Sequence, residues 1–164
     1  MPLRARLKES LPSTGSVLAG GPLWGVLMAL SAATSLYARD RLWLSADLDI
    51  LGLYFAGGLF GWVIALPFAR FCAAGRRPET RFAAWLLWLA IGTIGVTAAL
   101  FALQYRSFYA QWHAPFLSRI WIYQLVFTSA SAVYQFAVIG LRLFMPLGFL
   151  LLIATSAIMA RRIR

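Results

Sequence analysis

Long apolar runs separated by short basic segments constrain this chain more than any other feature. Hydrophobic residues make up 62% of its 164 residues and charged residues only 12%, about half the usual charged share of a soluble protein. A soluble domain of this size lacks the volume to bury so much apolar surface. Runs of about twenty apolar residues are instead typical of transmembrane helices. We therefore predict an all-α, polytopic integral membrane protein, a four-helix transmembrane bundle with a long or kinked last helix.

The apolar runs divide the chain into a membrane domain and two short tails. We predict a polar N-terminal tail at 1–14, a transmembrane helical domain at 15–160 and a basic C-terminal tail at 161–164. The predicted spans are 15–37, 48–69, 82–103 and 141–160, with 119–140 a helical extension towards the outer face. A cleaved signal peptide is the competing interpretation of the first run. A retained span is favoured, because the run is longer than a typical signal-peptide core.

The last apolar stretch, from Arg119 to Ala160, is too long for a single span. About forty helical residues would reach roughly 60 Å, twice the hydrocarbon thickness of a bilayer. In one interpretation a continuous or kinked helix projects from the outer surface and crosses the bilayer with its inner part. The other breaks the stretch at Gly140, Pro146 and Gly148 and gives five spans, which puts the C-terminal arginines outside. We favour four spans, with a helix that continues through Gly140.

The distribution of lysine and arginine predicts the orientation of the chain. The two tails and the second loop carry ten of these residues, whereas the first loop and the third connection carry four. Because cytoplasmic segments are enriched in positive charge, both termini are expected in the cytoplasm. The preference for arginine over lysine is typical of a GC-rich bacterial genome, so the predicted location is the bacterial inner (plasma) membrane. No basic face with base-stacking aromatics stands clear of the bilayer, and we expect no nucleic-acid partner.

A polar stripe is the most specific feature of the last stretch. Read as a helix at 100° per residue, it places five polar residues within a sector about 60° wide: Gln124, Thr128, Ser131, Gln135 and Arg142. Three interpretations stay open, namely a face towards water or headgroups, a buried polar seam against other helices or a partner, and a substrate or ion path. No acidic residue lies in a predicted span core, which argues against a path. We favour a contact surface on the outer side.

Two small-residue patterns predict close helix packing. Gly21 and Gly25 lie in the first span, and Gly57 and Gly61 lie in the second. Glycines at this spacing let helix backbones approach each other, which supports association in lipid. The patterns indicate contacts inside the bundle or, as the alternative, between copies of the chain.

Side chains that carry chemistry are few. Cys72 and His113 are the only cysteine and the only histidine, so one chain can form neither a disulfide nor a haem site with two histidine ligands. The sequence contains no Ser/His/Asp set, no glycine-rich phosphate loop and no paired intramembrane carboxylates. We therefore expect no enzyme activity, no cofactor and no metal site.

These observations together predict a non-catalytic accessory or scaffold subunit of a larger inner-membrane complex. Its expected partners are membrane lipids and either another membrane protein or a second copy of the chain. One alternative is a small homo-oligomeric transporter or channel that uses the polar stripe. A second alternative is a lipid- or quinone-binding component of a membrane enzyme.

Overall fold

Apolar side chains dictate helices here because a helix satisfies its backbone hydrogen bonds internally, as lipid requires. The computed structural model of the chain describes residues 6–7, 10–39 and 44–162. This part contains no strand, and its five long helices are α1 (Thr14–Tyr37), α2 (Leu44–Ala73), α3 (Pro78–Tyr109), α4 (Arg119–Val138) and α5 (Leu147–Arg162). Two short 3-10 helices lie at Ala110–Trp112 and Gly140–Phe144. The predicted all-α class is confirmed.

Four segments of the described chain are long and apolar enough to cross a membrane. They are Thr14–Tyr37, Asp47–Ala73, Pro78–Trp112 and Arg119–Phe144. The first three contain the predicted spans 15–37, 48–69 and 82–103, and they are longer because helices continue beyond the hydrocarbon core. The prediction of an all-α, four-helix membrane bundle is therefore confirmed, but the fourth candidate segment is Arg119–Phe144 and not the predicted span 141–160. Parts of both predicted tails (1–5, 8–9 and 163–164) lie outside the described residues.

The predicted continuity of the last helix through Gly140 is wrong. α4 ends at Val138, the 3-10 helix Gly140–Phe144 follows, and α5 begins only after Pro146. Proline has no N–H group and disfavours helical backbone in the residue before it, which explains why α5 does not extend back to Met145. Met145 accordingly adopts an extended conformation with ψ 142°. The break lies where the five-span interpretation placed it.

α5 returns along α1 towards the end of the bundle at which α1 begins. At the start of α5, the Gly148 amide donates to Ser31 Oγ at 2.8 Å, and at its end Arg162 borders the same cavity as Gly15. Both ends of the described chain therefore lie at one end of the bundle, together with the α2–α3 turn. We call it the basic end, because it holds Arg6, Arg70, Arg76, Arg77, Arg81, Arg161 and Arg162. That this end is cytoplasmic stays a prediction.

Tryptophans from three helices form the core near the basic end. Trp24, Trp62 and Trp85 come from α1, α2 and α3, and neighbouring rings in this series lie 6.2 Å apart between centroids. Each is at most 4% exposed. Trp24 Nε1 donates to Thr93 Oγ1 at 2.9 Å, and Trp62 Nε1 donates to the Ser16 carbonyl at 3.0 Å. The rings thus tie α1 to both α2 and α3.

Candidate functional site

Most residues of the polar stripe are hydrogen-bonded to other parts of the chain. Three of its side chains have hydrogen-bond partners within the chain: Gln124 Oε1 accepts from the Ala114 amide at 2.8 Å, Thr128 Oγ1 lies 3.3 Å from His113 Nε2, and Gln135 Nε2 donates to the Tyr105 hydroxyl at 3.1 Å. These partners belong to the end of α3 and to the connection that follows it. At these positions the stripe is a polar seam inside the chain.

The other two stripe residues do not belong to this seam. Ser131 is exposed on α4. Arg142 is exposed as well, but it lies in the 3-10 helix beyond the end of α4, where a projection at 100° per residue no longer applies. Its carbonyl accepts from Ser35 Oγ at 3.2 Å. The five predicted residues therefore do not share one surface.

The exposed side of α4 is apolar and aromatic. Ile120, Tyr123, Phe127 and Tyr134 are 63%, 66%, 69% and 69% exposed, and we call these four residues the outer face of α4. At 100° per residue they lie roughly opposite Ala132 and Phe136, the buried residues of this helix. A helix that faces water normally has the opposite arrangement. The surface that α4 presents is therefore this apolar face and not the polar stripe.

Hydroxyl groups from α1 and α2 pair with the backbone at the helix break. Ser31 Oγ donates to the Leu143 carbonyl at 3.1 Å and accepts from the Gly148 amide at 2.8 Å, and Tyr54 OH donates to the Gly140 carbonyl at 2.5 Å. Ser31 and Tyr54 are each 1% exposed. Non-helical backbone at membrane depth is tolerated where protein groups satisfy it. Sequence reasoning missed this cluster, whose only signal was hydroxyl side chains within apolar spans.

The four glycines of the small-residue patterns lie at helix contacts inside the bundle. All four are buried. Gly21 and Gly25 face α2, whereas Gly57 and Gly61 face α3. A Cβ atom added to Gly25 would lie 2.7 Å from the carbonyl oxygen of Phe55, and one added to Gly61 would lie 2.7 Å from a Cα atom of α3. The missing side chains therefore permit close backbone approach within one chain.

A cavity of about 680 Å³ lies between α1 and α5 near the basic end. The two helices touch at Ser31 and Gly148 and leave this space between them further along. Its walls are mainly apolar, formed by residues such as Ala19, Leu23, Leu151 and Ile158, with Trp62 and Trp85 on the side of α2 and α3. We call it the α1–α5 groove. Sequence reasoning did not predict it, because the separation of two helices is a tertiary property.

The two charged side chains that line the α1–α5 groove are both cationic. Arg70 of α2 and Arg162 of α5 both line it at the basic end, and no aspartate or glutamate is among the described residues that line it. Trp85 also lines the groove, is 2% exposed, and has no hydrogen-bond partner for its buried Nε1 within the described chain. The groove therefore combines an apolar body with a cationic end.

Cys72 and His113 each contact a neighbouring side chain. Cys72 Sγ accepts from Trp88 Nε1 at 3.3 Å, and His113 pairs with Thr128. No three His, Cys, Asp or Glu side chains within 6–7, 10–39 and 44–162 come close enough to hold a metal ion. The candidate surfaces are therefore the outer face of α4 and the α1–α5 groove.

No protein-family model matches this chain, and neither a curated protein nor a solved structure matches it.

Proposed function

We propose that this chain is a non-catalytic accessory or scaffold subunit of a larger inner-membrane complex, and that it docks its partner through the outer face of α4. The observation that carries the proposal is the inverted polarity of α4. Its glutamines and threonine bond to the end of α3 and the following connection, while large apolar and aromatic side chains point away from the rest of the chain. Such a face is stable only where something apolar covers it.

The depth of α4 favours a protein over lipid as the cover. The basic end of α3 carries Arg81, and a 30 Å hydrocarbon core measured from there ends about twenty residues further along the helix, near Phe101. Phe101 packs against Phe136, close to the C-terminal end of α4, with 6.0 Å between ring centroids. With the core placed there, most of α4 lies beyond the acyl chains, although the segment Arg119–Phe144 is by length and composition apolar enough to cross a membrane. Lipid tails do not reach that level, whereas a partner protein does.

The composition of the face suits a protein contact. Tyr123 and Tyr134 contribute two tyrosines, a residue type that is enriched among the energetically dominant residues of interfaces. With the basic end in the cytoplasm, as the positive-inside rule favours, α4 stands on the periplasmic side. The partner proposed here is therefore a membrane protein with an apolar surface just outside the bilayer.

The alternative of a homo-oligomeric channel uses the polar stripe in a different way. Gln124, Thr128 and Gln135 already have partners within the chain. To line a path between copies, these three side chains would first have to give up those hydrogen bonds, each of which contributes about 0.5–1.5 kcal/mol. The accessory role requires no such exchange.

Photo-crosslinking in intact membranes tests the proposal. Benzoylphenylalanine replaces Phe127 or Tyr134 on the outer face of α4, and Phe60 on α2, which is 52% exposed, serves as the matched control. We expect one discrete adduct with a larger membrane protein from the two α4 positions and none from the control. The adduct is identified by mass spectrometry after purification in mild detergent.

Two results would contradict the accessory role. Adducts with lipid alone, together with a monomer in mild detergent, would show that no protein covers the outer face of α4. An adduct of twice the mass of the chain would instead assign the face to self-association.

A further inference from the structure

We propose that the α1–α5 groove binds one anionic phospholipid from the leaflet at the basic end. This site is separate from the outer face of α4, so each proposal can fail without the other. The inference rests on two properties of the groove, namely its size and apolar walls, and the two arginines at one end.

The size and lining of the groove suit an acyl chain. Its volume of about 680 Å³ falls within the roughly 300–1,000 Å³ of typical ligand pockets. Leu23 of α1 and Leu151 and Ile158 of α5 supply branched apolar side chains along opposite walls. Since the groove lies between two membrane helices, an acyl chain enters it from the bilayer without crossing water.

The two arginines select the charge of the lipid. Arg70 and Arg162 lie at the basic end of the groove, where headgroups meet the helix ends. Arg70 Nη1 donates to the Leu11 carbonyl at 2.9 Å, which holds the guanidinium in place. Arginine has five N–H donors in a planar fork that matches a phosphate group, so one backbone bond leaves others for a ligand. Charge complementarity therefore favours a phosphate with net negative charge on the lipid.

Native mass spectrometry of the protein tests the site. The protein is delipidated in mild detergent and titrated with phosphatidylglycerol or phosphatidylcholine, and bound lipids are counted per chain. We expect one phosphatidylglycerol per chain, bound more tightly than phosphatidylcholine. The paired substitution Arg70→Gln and Arg162→Gln should weaken phosphatidylglycerol binding by about fivefold per arginine, hence on the order of 25-fold.

Matched controls separate the groove from general surface charge. Arg76→Gln with Arg77→Gln removes the same charge from the exposed α2–α3 turn, away from the groove, and should leave the affinity unchanged. Arg162→Gln alone keeps the contact between Arg70 and the Leu11 carbonyl intact, and should weaken binding by about fivefold even if the paired variant fails to fold.

A steric variant tests the apolar part of the site. Ala19→Leu with Ala154→Leu narrows the groove from opposite walls and keeps both arginines. Ala83→Leu with Ala99→Leu adds the same volume on exposed positions of α3 outside the groove. We expect Ala19→Leu with Ala154→Leu to abolish the binding of one phosphatidylglycerol per chain, and Ala83→Leu with Ala99→Leu to preserve it.

Three results would overturn the proposal. The first is phosphatidylcholine binding as tightly as phosphatidylglycerol, which would remove the role of charge. The second is equal affinity in the paired groove variant and its Arg76/Arg77 control. The third is an undiminished lipid count in the variant that narrows the groove.

Discussion

Replacing Ser31 with alanine removes a side chain that pairs with both sides of the helix break. Its hydroxyl donates to the Leu143 carbonyl at 3.1 Å and accepts from the Gly148 amide at 2.8 Å, and the residue is 1% exposed. After the substitution both backbone groups lack this partner at a position that neither water nor lipid satisfies. The change removes little volume, so its cost reports mainly on the two hydrogen bonds.

The magnitude follows from what such bonds contribute inside membranes. Interhelical hydrogen bonds there average about 0.6 kcal/mol and reach about 1.7 kcal/mol, while a buried unsatisfied group costs about 1–3 kcal/mol. We expect Ser31→Ala to lower the free energy of unfolding by about 2 kcal/mol. Ser35→Ala removes a single bond to the Arg142 carbonyl and should cost about 1 kcal/mol. The exposed Thr34, which bonds within its own helix, is the matched control.

Unfolding by sodium dodecyl sulfate in mixed micelles is monitored by far-UV circular dichroism. The free energy of unfolding is extrapolated linearly to zero dodecyl sulfate. The Thr34→Ala control should change the free energy of unfolding by no more than about 0.5 kcal/mol, as an exposed position does. If Ser31→Ala is no less stable than this control, the Ser31 hydroxyl does not hold the break together, and the reasoning is refuted.

Three further predictions concern packing and orientation. Gly61→Ala should lower the free energy of unfolding by about 1–3 kcal/mol, because its Cβ would lie 2.7 Å from the Thr93 Cα atom. A Cβ atom added at Gly95 would meet no neighbouring helix within 4 Å, so Gly95→Ala should be neutral or stabilising. Equal effects of the two substitutions in the same titration would contradict this prediction. Trp24→Phe should lower the free energy of unfolding by about 1 kcal/mol more than Trp85→Phe, because only Trp24 Nε1 has a hydrogen-bond partner in the described chain. A larger loss of stability for Trp85→Phe would contradict this prediction. A green fluorescent protein fused after the last residue should fluoresce, whereas an alkaline phosphatase fused there should be inactive; the opposite pattern would place the C-terminus in the periplasm.

The sequence contained enough information for the class and the first three helices. A run of apolar side chains long enough to cross a bilayer leaves few structures other than a helix, because lipid offers the backbone no partners. Pro78 marked the start of α3, and Gly75, with φ 67°, marks the turn before it. These signals are local, so they can be read without knowledge of the tertiary contacts.

The structure of the last third of the chain was harder to predict, because its sequence signals conflict. The period of the polar stripe favoured a continuous helix through Gly140, whereas Pro146 favoured a break. The partners that stabilise the break come from α1 and α2, and the Ser31–Leu143 and Ser31–Gly148 pairs are 112 and 117 residues apart in the chain. No window of sequence contains both members of such a pair. The α1–α5 groove was missed for the same reason, since its two walls are distant in sequence.

The hydroxyl of Ser31 also has a consequence for the order in which the protein is made. α1 leaves the ribosome before α5, yet the backbone at the start of α5 finds its partners on α1. Exposed to lipid without those partners, this non-helical segment would carry unpaired carbonyl and amide groups. We therefore expect the C-terminal segment to leave the insertion machinery by docking onto helices that are already assembled. A chain that lacks α1 should expose this segment to the quality-control proteases of the membrane.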